Sequence, residues 1–268
     1  MDSDNLGIVN SSVVPVSKKP DFSSEQVTQA LLGESVRILE RHDSWFFIEQ
    51  WDNYRGWVNS VSLCEFSKAK YDIWERHSKF VFGSVNTEIF TEKDPHSERL
   101  RDAVIGTRLP LILRENGWVH IKLPDGVNGW TPDREWIFPS EATSETLIKT
   151  AFLFMGFPYL WGGKTPKGFD CSGFVQTVFL LNGIPLPRDS GQQYIKGKSI
   201  GSDWRKSLPG DLLFFGGEED NVNHVGIHVR DGRFVHCWGF VRFASLNRHD
   251  PYYDENLKSR LLESRRIL

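Results

Sequence analysis

Residues 157–183 read FPYLWGGKTPKGFDCSGFVQTVFLLNG. The first half is rich in Gly and Pro, as a loop is. The second half carries apolar residues at Phe174, Val175, Val178, Phe179 and Leu181, the spacing of one helix face, and closes at Gly183. Asp170 stands at the junction as N-cap, so Cys171 falls in the first helical turn. Unsatisfied N–H groups and the positive end of the helix dipole favour a thiolate there, and such positions can lower a cysteine pKa to about 3.5–7.5. Cys171 is therefore a candidate nucleophile. Ser172 and Gly173 beside it are small enough to admit a substrate carbonyl, with backbone N–H groups available to a developing oxyanion. A cysteine without such a setting is more often a small buried hydrophobe, and Cys64 and Cys237 are read that way. Just upstream, SETLIKTAFLFMG (144–156) predicts another helix, capped at Ser144 and stopped at Gly156.

A nucleophile needs a base, and residues 221–240, NVNHVGIHVRDGRFVHCWGF, supply candidates. Val225, Ile227 and Val229 alternate with His224, Gly226 and His228, which predicts a half-buried strand with both histidines on the other face. A turn near Asp231-Gly232 returns the chain through Phe234, His236 and Trp238. A loop with an odd number of residues, such as three, puts His236 on the His224 face and nearly opposite Gly226; a two-residue loop puts it on the wrong face. The odd loop is expected. In that register His224 takes the thiol proton, and His236, a diagonal neighbour roughly 7–8 Å away at the backbone, orients the imidazole. HVGIH suits a metal when it lies on a helix, but here the period is two and no carboxylate follows as third ligand, so neither metal nor cofactor is expected. His42, His77, His96, His120 and His249 are read as surface or satisfied residues.

The first half of the chain repeats itself. GESVRILERHDSWFFIEQWDNYRGWV (33–58) and GTRLPLILRENGWVHIKLPDGVNGWT (106–131) align without a gap, matching Gly33 to Gly106, Trp45 to Trp118, Gly56 to Gly129 and Trp57 to Trp130. Four rare residues at one offset indicate a duplicated unit. Short alternating runs ending at Gly, Asp or Asn make each copy a small all-β barrel, with Trp57 and Trp130 read as core residues.

The totals bound the rest. A chain of 268 residues suggests two domains, or three small ones. Its 39% hydrophobic and 25% charged content is that of a soluble protein, and no apolar run approaches the roughly 20 residues of a membrane span. A net charge of -3 offers no footprint for nucleic acid or anionic lipid. Three widely spaced cysteines without a CxxC pair argue against a disulfide framework and a structural zinc site. The opening MDSDNLGIVNSSVVPVSKKP lacks the pattern of a signal peptide, leaving a cytoplasmic protein or one whose leader has been removed.

FDCSGFV, PRDSGQQ, PGDLLFF, NHVGIHV and RFVHCWG, in that order, resemble the NlpC family of papain-like cysteine peptidases acting on bacterial cell-wall peptides, over about residues 139–268. The repeats resemble bacterial SH3-like domains, over about 1–66 and 67–138. The resemblance implies an α+β fold: two small all-β SH3-like barrels, then a domain in which a helix-borne cysteine packs on an antiparallel sheet. It implies Cys171 as nucleophile, His224 as base and His236 as the third residue. With two such barrels in front, the chain looks like the γ-D-glutamyl-L-diamino acid endopeptidases of the dipeptidyl-peptidase VI type. Those enzymes cut peptidoglycan-derived L-Ala-γ-D-Glu-diamino acid peptides that have a free N-terminal L-alanine, releasing L-Ala-D-Glu. Tyr159, Ser172 and Asp189 match family positions that line the pocket, Asp189 offering a carboxylate to the substrate ammonium. The first barrel in such enzymes caps the site, and Glu25 and Tyr54 are its candidate contributors. A monomer is expected. The competing readings are an inactive cell-wall peptide-binding module and a related thiol amidase.

Overall fold

A computed structural model of the protein describes residues 5–217 and 221–268. Two compact units divide the chain, Met1–Ile137 and Phe138–Leu268.

Both repeats lie in the first unit. One forms a seven-stranded antiparallel sheet in the order Gln26–Leu31, Val13–Ser17, Arg55–Asn59, Trp45–Glu49, Ser35–His42, Leu6–Val9 and Leu63–Phe66. The other forms a five-stranded sheet in the order Arg99–Val104, Asn86–Phe90, Asn128–Pro132, Trp118–Lys122 and Leu111–Glu115. Strand for strand, the second order reproduces the first five of the first. The repeated glycines hold the same places: Gly33 and Gly106 both adopt a positive φ (81° and 87°), and Gly56 and Gly129 sit opposite Ile48 and Ile121. A Cβ on Gly56 would stand 2.6 Å from Val16, and one on Gly129 2.5 Å from Ile89, so each glycine faces inward against the neighbouring strand. That placement overturns the core reading of the adjacent tryptophans. With period two, an inward Gly sends Trp57 and Trp130 outward, and both are half-buried, Trp57 against Phe47 and Trp130 stacked on His120 at 4.3 Å. One apolar cluster joins the two sheets, with Ile8 and Leu32 meeting Trp74, Phe80, Ile89 and Val119.

The second unit is α+β. Its six-stranded antiparallel sheet runs Lys198–Gly201, Leu261–Arg266, Leu212–Gly216, Val222–Arg230, Arg233–Trp238 and Phe240–Ser245. The helix Ser144–Phe152 begins one residue earlier than the sequence suggested: Thr143 is the cap, because Thr146 three residues on completes a reciprocal capping box. Asp170 caps the helix Cys171–Leu180, its carboxylate accepting the Gly173 N–H at 2.7 Å. That helix packs on Val222–Arg230, the strand carrying His224. The strand is buried from His224 to His228, on both faces rather than one, because strands flank it on either side and apolar layers cover both surfaces.

The hairpin after His224 has the expected phase but not the expected loop. Arg230 pairs with Arg233 across a two-residue turn, Asp231 and Gly232 both at positive φ (51° and 81°), as Asp-Gly favours. A bulge at Val229 then shifts the ladder by one, so that His228 opposes Phe234 and Gly226 opposes His236. The extra residue sits in the strand instead of the loop, and His236 still reaches the His224 face.

Candidate active site

Cys171 opens its helix with its sulfur against the strand backbone on either side of His224. The thiol lies 4.0 Å from the Asn223 carbonyl oxygen, and the Val225 N–H points at the sulfur. His224 Nε2 lies 2.7 Å from His236 Nδ1, the two rings nearly perpendicular. With Nε2 of His224 engaged by His236, Nδ1 is the nitrogen left to accept a proton. Which ring nitrogen donates depends on the tautomer; a His224 that takes a proton at Nδ1 requires Nε2 to be the donor and His236 Nδ1 the acceptor.

The electrostatics correct one expectation. Burial, reinforced by Asp170, pushes the Cys171 thiol up to about 12, while the Val225 and Ser172 N–H groups and Arg188 oppose it. The helix terminus does not lower the pKa of the resting thiol, because the sulfur is buried and a carboxylate stands at the same terminus. Burial, with Arg260 and then Arg242 adding to it and Asp254 opposing, lowers His224 to about 4. Burial also holds His236 well below the ordinary imidazole value. The resting pair is a neutral thiol beside a neutral imidazole.

A pH dependence follows. His224 accepts a proton only when neutral, so the acid limb of kcat/KM is expected near pH 4 rather than near the imidazole reference of about 6.5. Stability moves in the same direction. A histidine with a depressed folded pKa is protonated more readily when unfolded, so its contribution is complete above about 6.5 and is lost as pH falls through the folded value. Rate profiles on a wall peptide, with melting curves at each pH, check both; an acid limb above pH 6 contradicts the buried neutral imidazole.

The small neighbours of Cys171 serve the protein's own packing. Ser172 Oγ donates to Asp170 at 3.2 Å and accepts from Arg188 at 3.0 Å, while a Cβ on Gly173 would stand 2.1 Å from the Gly163 carbonyl. Arg188 is 1% exposed and grips both oxygens of Asp170, at 3.0 and 2.5 Å. Gln193 is fully buried and donates to the carbonyls of Ser172 and Pro187. Both residues fall within PRDSGQQ, yet a sequence reader sees an arginine beside a proline as loop surface. Asp189 takes the N-cap position of the helix Ser190–Tyr194 without a side-chain capping bond.

Tyr159 lies half-buried near Cys171 and Asp170. Burial, then the nearby Cys171 and Asp170, push its hydroxyl up to about 12. Trp238, 61% exposed, meets Tyr159 with ring centroids 5.9 Å apart and His224 at 6.1 Å, forming an aromatic rim that the sequence reading did not identify. His228 has another role: its Nδ1 donates to the Leu208 carbonyl at 3.0 Å and its Nε2 accepts the Gly232 N–H at 3.3 Å, tying down the hairpin turn. Glu25 and Tyr54 belong to the first unit. They precede the strands Gln26–Leu31 and Arg55–Asn59 at one end of the first sheet, and Glu25 pairs with Lys18 at 3.2 Å.

The NlpC/P60 family model matches residues 156–260, and the model for the bacterial dipeptidyl-peptidase Sh3 domain matches residues 16–63. A Bacillus subtilis protein named gamma-D-glutamyl-L-lysine dipeptidyl-peptidase is 32% identical over 224 residues, covering 78% of this chain and 71% of that protein. The chain belongs to the NlpC/P60 family. A Bacillus cereus protein of the same name is 30% identical, and the match spans 66% of its length. Dipeptidyl-peptidase 6 of Lysinibacillus sphaericus is 28% identical over 89% of this chain and 91% of that one. A solved NlpC/P60 family protein from Bacillus cereus, 23% identical, superposes with a TM-score of 0.83 over 98% of this chain and 99% of that one, so the fold is shared. NlpC/P60 membership makes this protein a cysteine peptidase, with an α+β catalytic domain behind an SH3-like one.

Proposed function

We propose that the protein hydrolyses the γ-D-glutamyl bond to an L-diamino acid in cell-wall peptides that begin with a free L-alanine, releasing L-Ala-D-Glu. The single observation that carries the chemistry is the His224–His236 hydrogen bond beside a helix-borne thiol. It leaves Nδ1 of His224 for proton transfer, and in this reading the shared proton lies on His224 Nε2. In this mechanism Sγ of Cys171 attacks the γ-carbonyl carbon as its proton passes to His224 Nδ1. Backbone N–H groups of the first helical turn stabilise the oxyanion, since the first N–H groups of a helix have no partner within it. His224 then protonates the leaving amine, the C–N bond breaks, and a thioester to Cys171 remains. Water, deprotonated by His224, hydrolyses that thioester and restores the thiol.

Support for the substrate comes from the named relatives and from the motif positions. Tyr159 and Asp189 line the acyl side in this proposal, with Asp189 offering its carboxylate to the N-terminal ammonium. His236 serves as a positioning residue. Incubation with L-Ala-γ-D-Glu-L-Lys and its N-acetylated form, followed by mass analysis, tests the reading. The expected result is L-Ala-D-Glu from the free peptide and a rate lower by at least about 100-fold for the blocked one, the scale of an unpaired buried charge. Intact peptide with binding retained identifies a binding module instead, and cleavage at the glycan–alanine bond identifies an amidase.

A further inference from the structure

Two guanidinium groups flank the imidazole pair, and neither meets a carboxylate among the described residues. Arg242 lies on the strand Phe240–Ser245 directly opposite His236, so both side chains project from the same face of the sheet. Its Nε is buried without a hydrogen-bond partner, and its guanidinium lies over the Phe240 ring at 5.9 Å. Arg260, half-buried, donates to Asn223 Oδ1 at 2.7 Å and to Asn256 Oδ1 at 3.4 Å. Asn223 immediately precedes His224, and its carbonyl oxygen is the one 4.0 Å from the Cys171 sulfur. Asp254, the nearby acid, is engaged as the N-cap of the helix Glu255–Ser259, accepting the Leu257 N–H at 2.9 Å.

We propose that Arg242 and Arg260 form a carboxylate subsite on the leaving-group side, which reads a free α-carboxylate on the diamino acid being released. This rests on the peptidase reading above. The connectivity of the substrate leads to it. His224 must protonate the amine that departs, so that nitrogen lies against His224 when the bond breaks. In an α-amino acid the α-carboxyl group is two bonds from the nitrogen, and therefore a few ångströms from whatever flanks the imidazole. On this chain the charged groups there are two arginines and one acid, Asp254, whose carboxylate is engaged as a helix cap. Both guanidiniums disfavour a proton on His224, with Asp254 opposing them, in keeping with the placement read from the strand pairing and the Asn223 contact. A tripeptide ending at the diamino acid presents a carboxylate there, whereas a tetrapeptide presents a neutral amide. The subsite therefore selects tripeptides.

The test compares three substrates on the full-length protein: L-Ala-γ-D-Glu-L-Lys, its C-terminal amide, and L-Ala-γ-D-Glu-L-Lys-D-Ala. The free acid is expected to exceed the amide and the tetrapeptide in kcat/KM by about 10–100-fold, the scale of a charge-assisted pair. Arg242→Gln and Arg260→Gln should each shrink the acid-to-amide ratio at least about threefold, chiefly through KM for the acid. The ratio within one variant is the internal control, since a merely structural loss lowers both substrates alike. Equal rates on all three, or a preference that both variants keep, overturns the subsite alone. No cleavage of any of the three overturns the peptidase reading and the subsite with it.

Discussion

Cys171→Ala is expected to lower kcat on the wall peptide by about 10⁴-fold or more while leaving the fold and substrate binding in place. A covalent mechanism has no substitute for the sulfur: alanine offers no atom to form the thioester, and the residual rate is what positioning and oxyanion stabilisation achieve with water. The fold should tolerate the change. The thiol makes a long contact to the Asn223 carbonyl at 4.0 Å and receives the Val225 and Ser172 N–H groups, none of which holds the helix, and Asp170 caps the helix through the Gly173 N–H regardless of the side chain at 171. Alanine is also the residue best suited to a helix. Calorimetric titration of the inactive variant with uncleaved peptide and a thermal melt separate these claims. Turnover above about 1% of the native rate removes covalent catalysis through Cys171. The neutral resting pair adds a companion expectation. Because burial holds the thiol near 12 and the imidazole near 4, the proton moves during attack and not before it, and reaction with a neutral alkylating reagent should stay slow at pH 7.

Local grammar was the part of this architecture most legible in sequence. The doubling of the first unit was readable because Gly56 and Gly129 must face inward against Val16 and Ile89, a constraint that admits only glycine in both copies. The histidine hairpin was readable because strand parity puts His224 and His236 on one face. What escaped was whatever depends on partners distant in sequence. The bulge at Val229 does the work that sequence assigned to a longer loop: Asp231-Gly232 is the local mark of the two-residue turn, but nothing local marks the bulge that restores the phase. The sign of the Cys171 shift escaped for a similar reason. The helix terminus is visible in sequence, but the burial that outweighs it comes from the strand fifty-odd residues later. Trp57 and Trp130 were misassigned because aromatic residues are usually inside, whereas here the neighbouring glycine had already claimed the inward position. Arg242 and Arg260 are ordinary surface arginines until the sheet sets them beside the imidazoles.

Arg188 is the residue whose loss should damage the molecule most. Its guanidinium, 1% exposed, bonds both oxygens of Asp170, the Ser172 hydroxyl and, at 3.4 Å, the Gly163 carbonyl, all on buried residues. Removing one partner of a buried pair strands the other charge, at a cost of about 3–5 kcal/mol. Arg188→Met is therefore expected to destabilise the protein by that amount in urea unfolding, and to lower activity beyond what unfolding explains, because Asp170 sets the helix start from which Cys171 projects. Asp170→Asn alone should also be costly, for it strands the arginine and weakens the cap. The double variant Arg188→Met/Asp170→Asn discriminates. With neither charge present, and with asparagine still able to cap the helix, it should recover at least about 1–2 kcal/mol relative to the sum of the single losses. Additive losses, or a cost below about 1 kcal/mol for Arg188→Met, would mean that water reaches the pair and that the Gly163–Gly173 packing alone fixes the helix. Recovery of stability without recovery of activity would locate the function of the pair in aiming the first helical turn, since the charges themselves contribute little net stability over an apolar replacement.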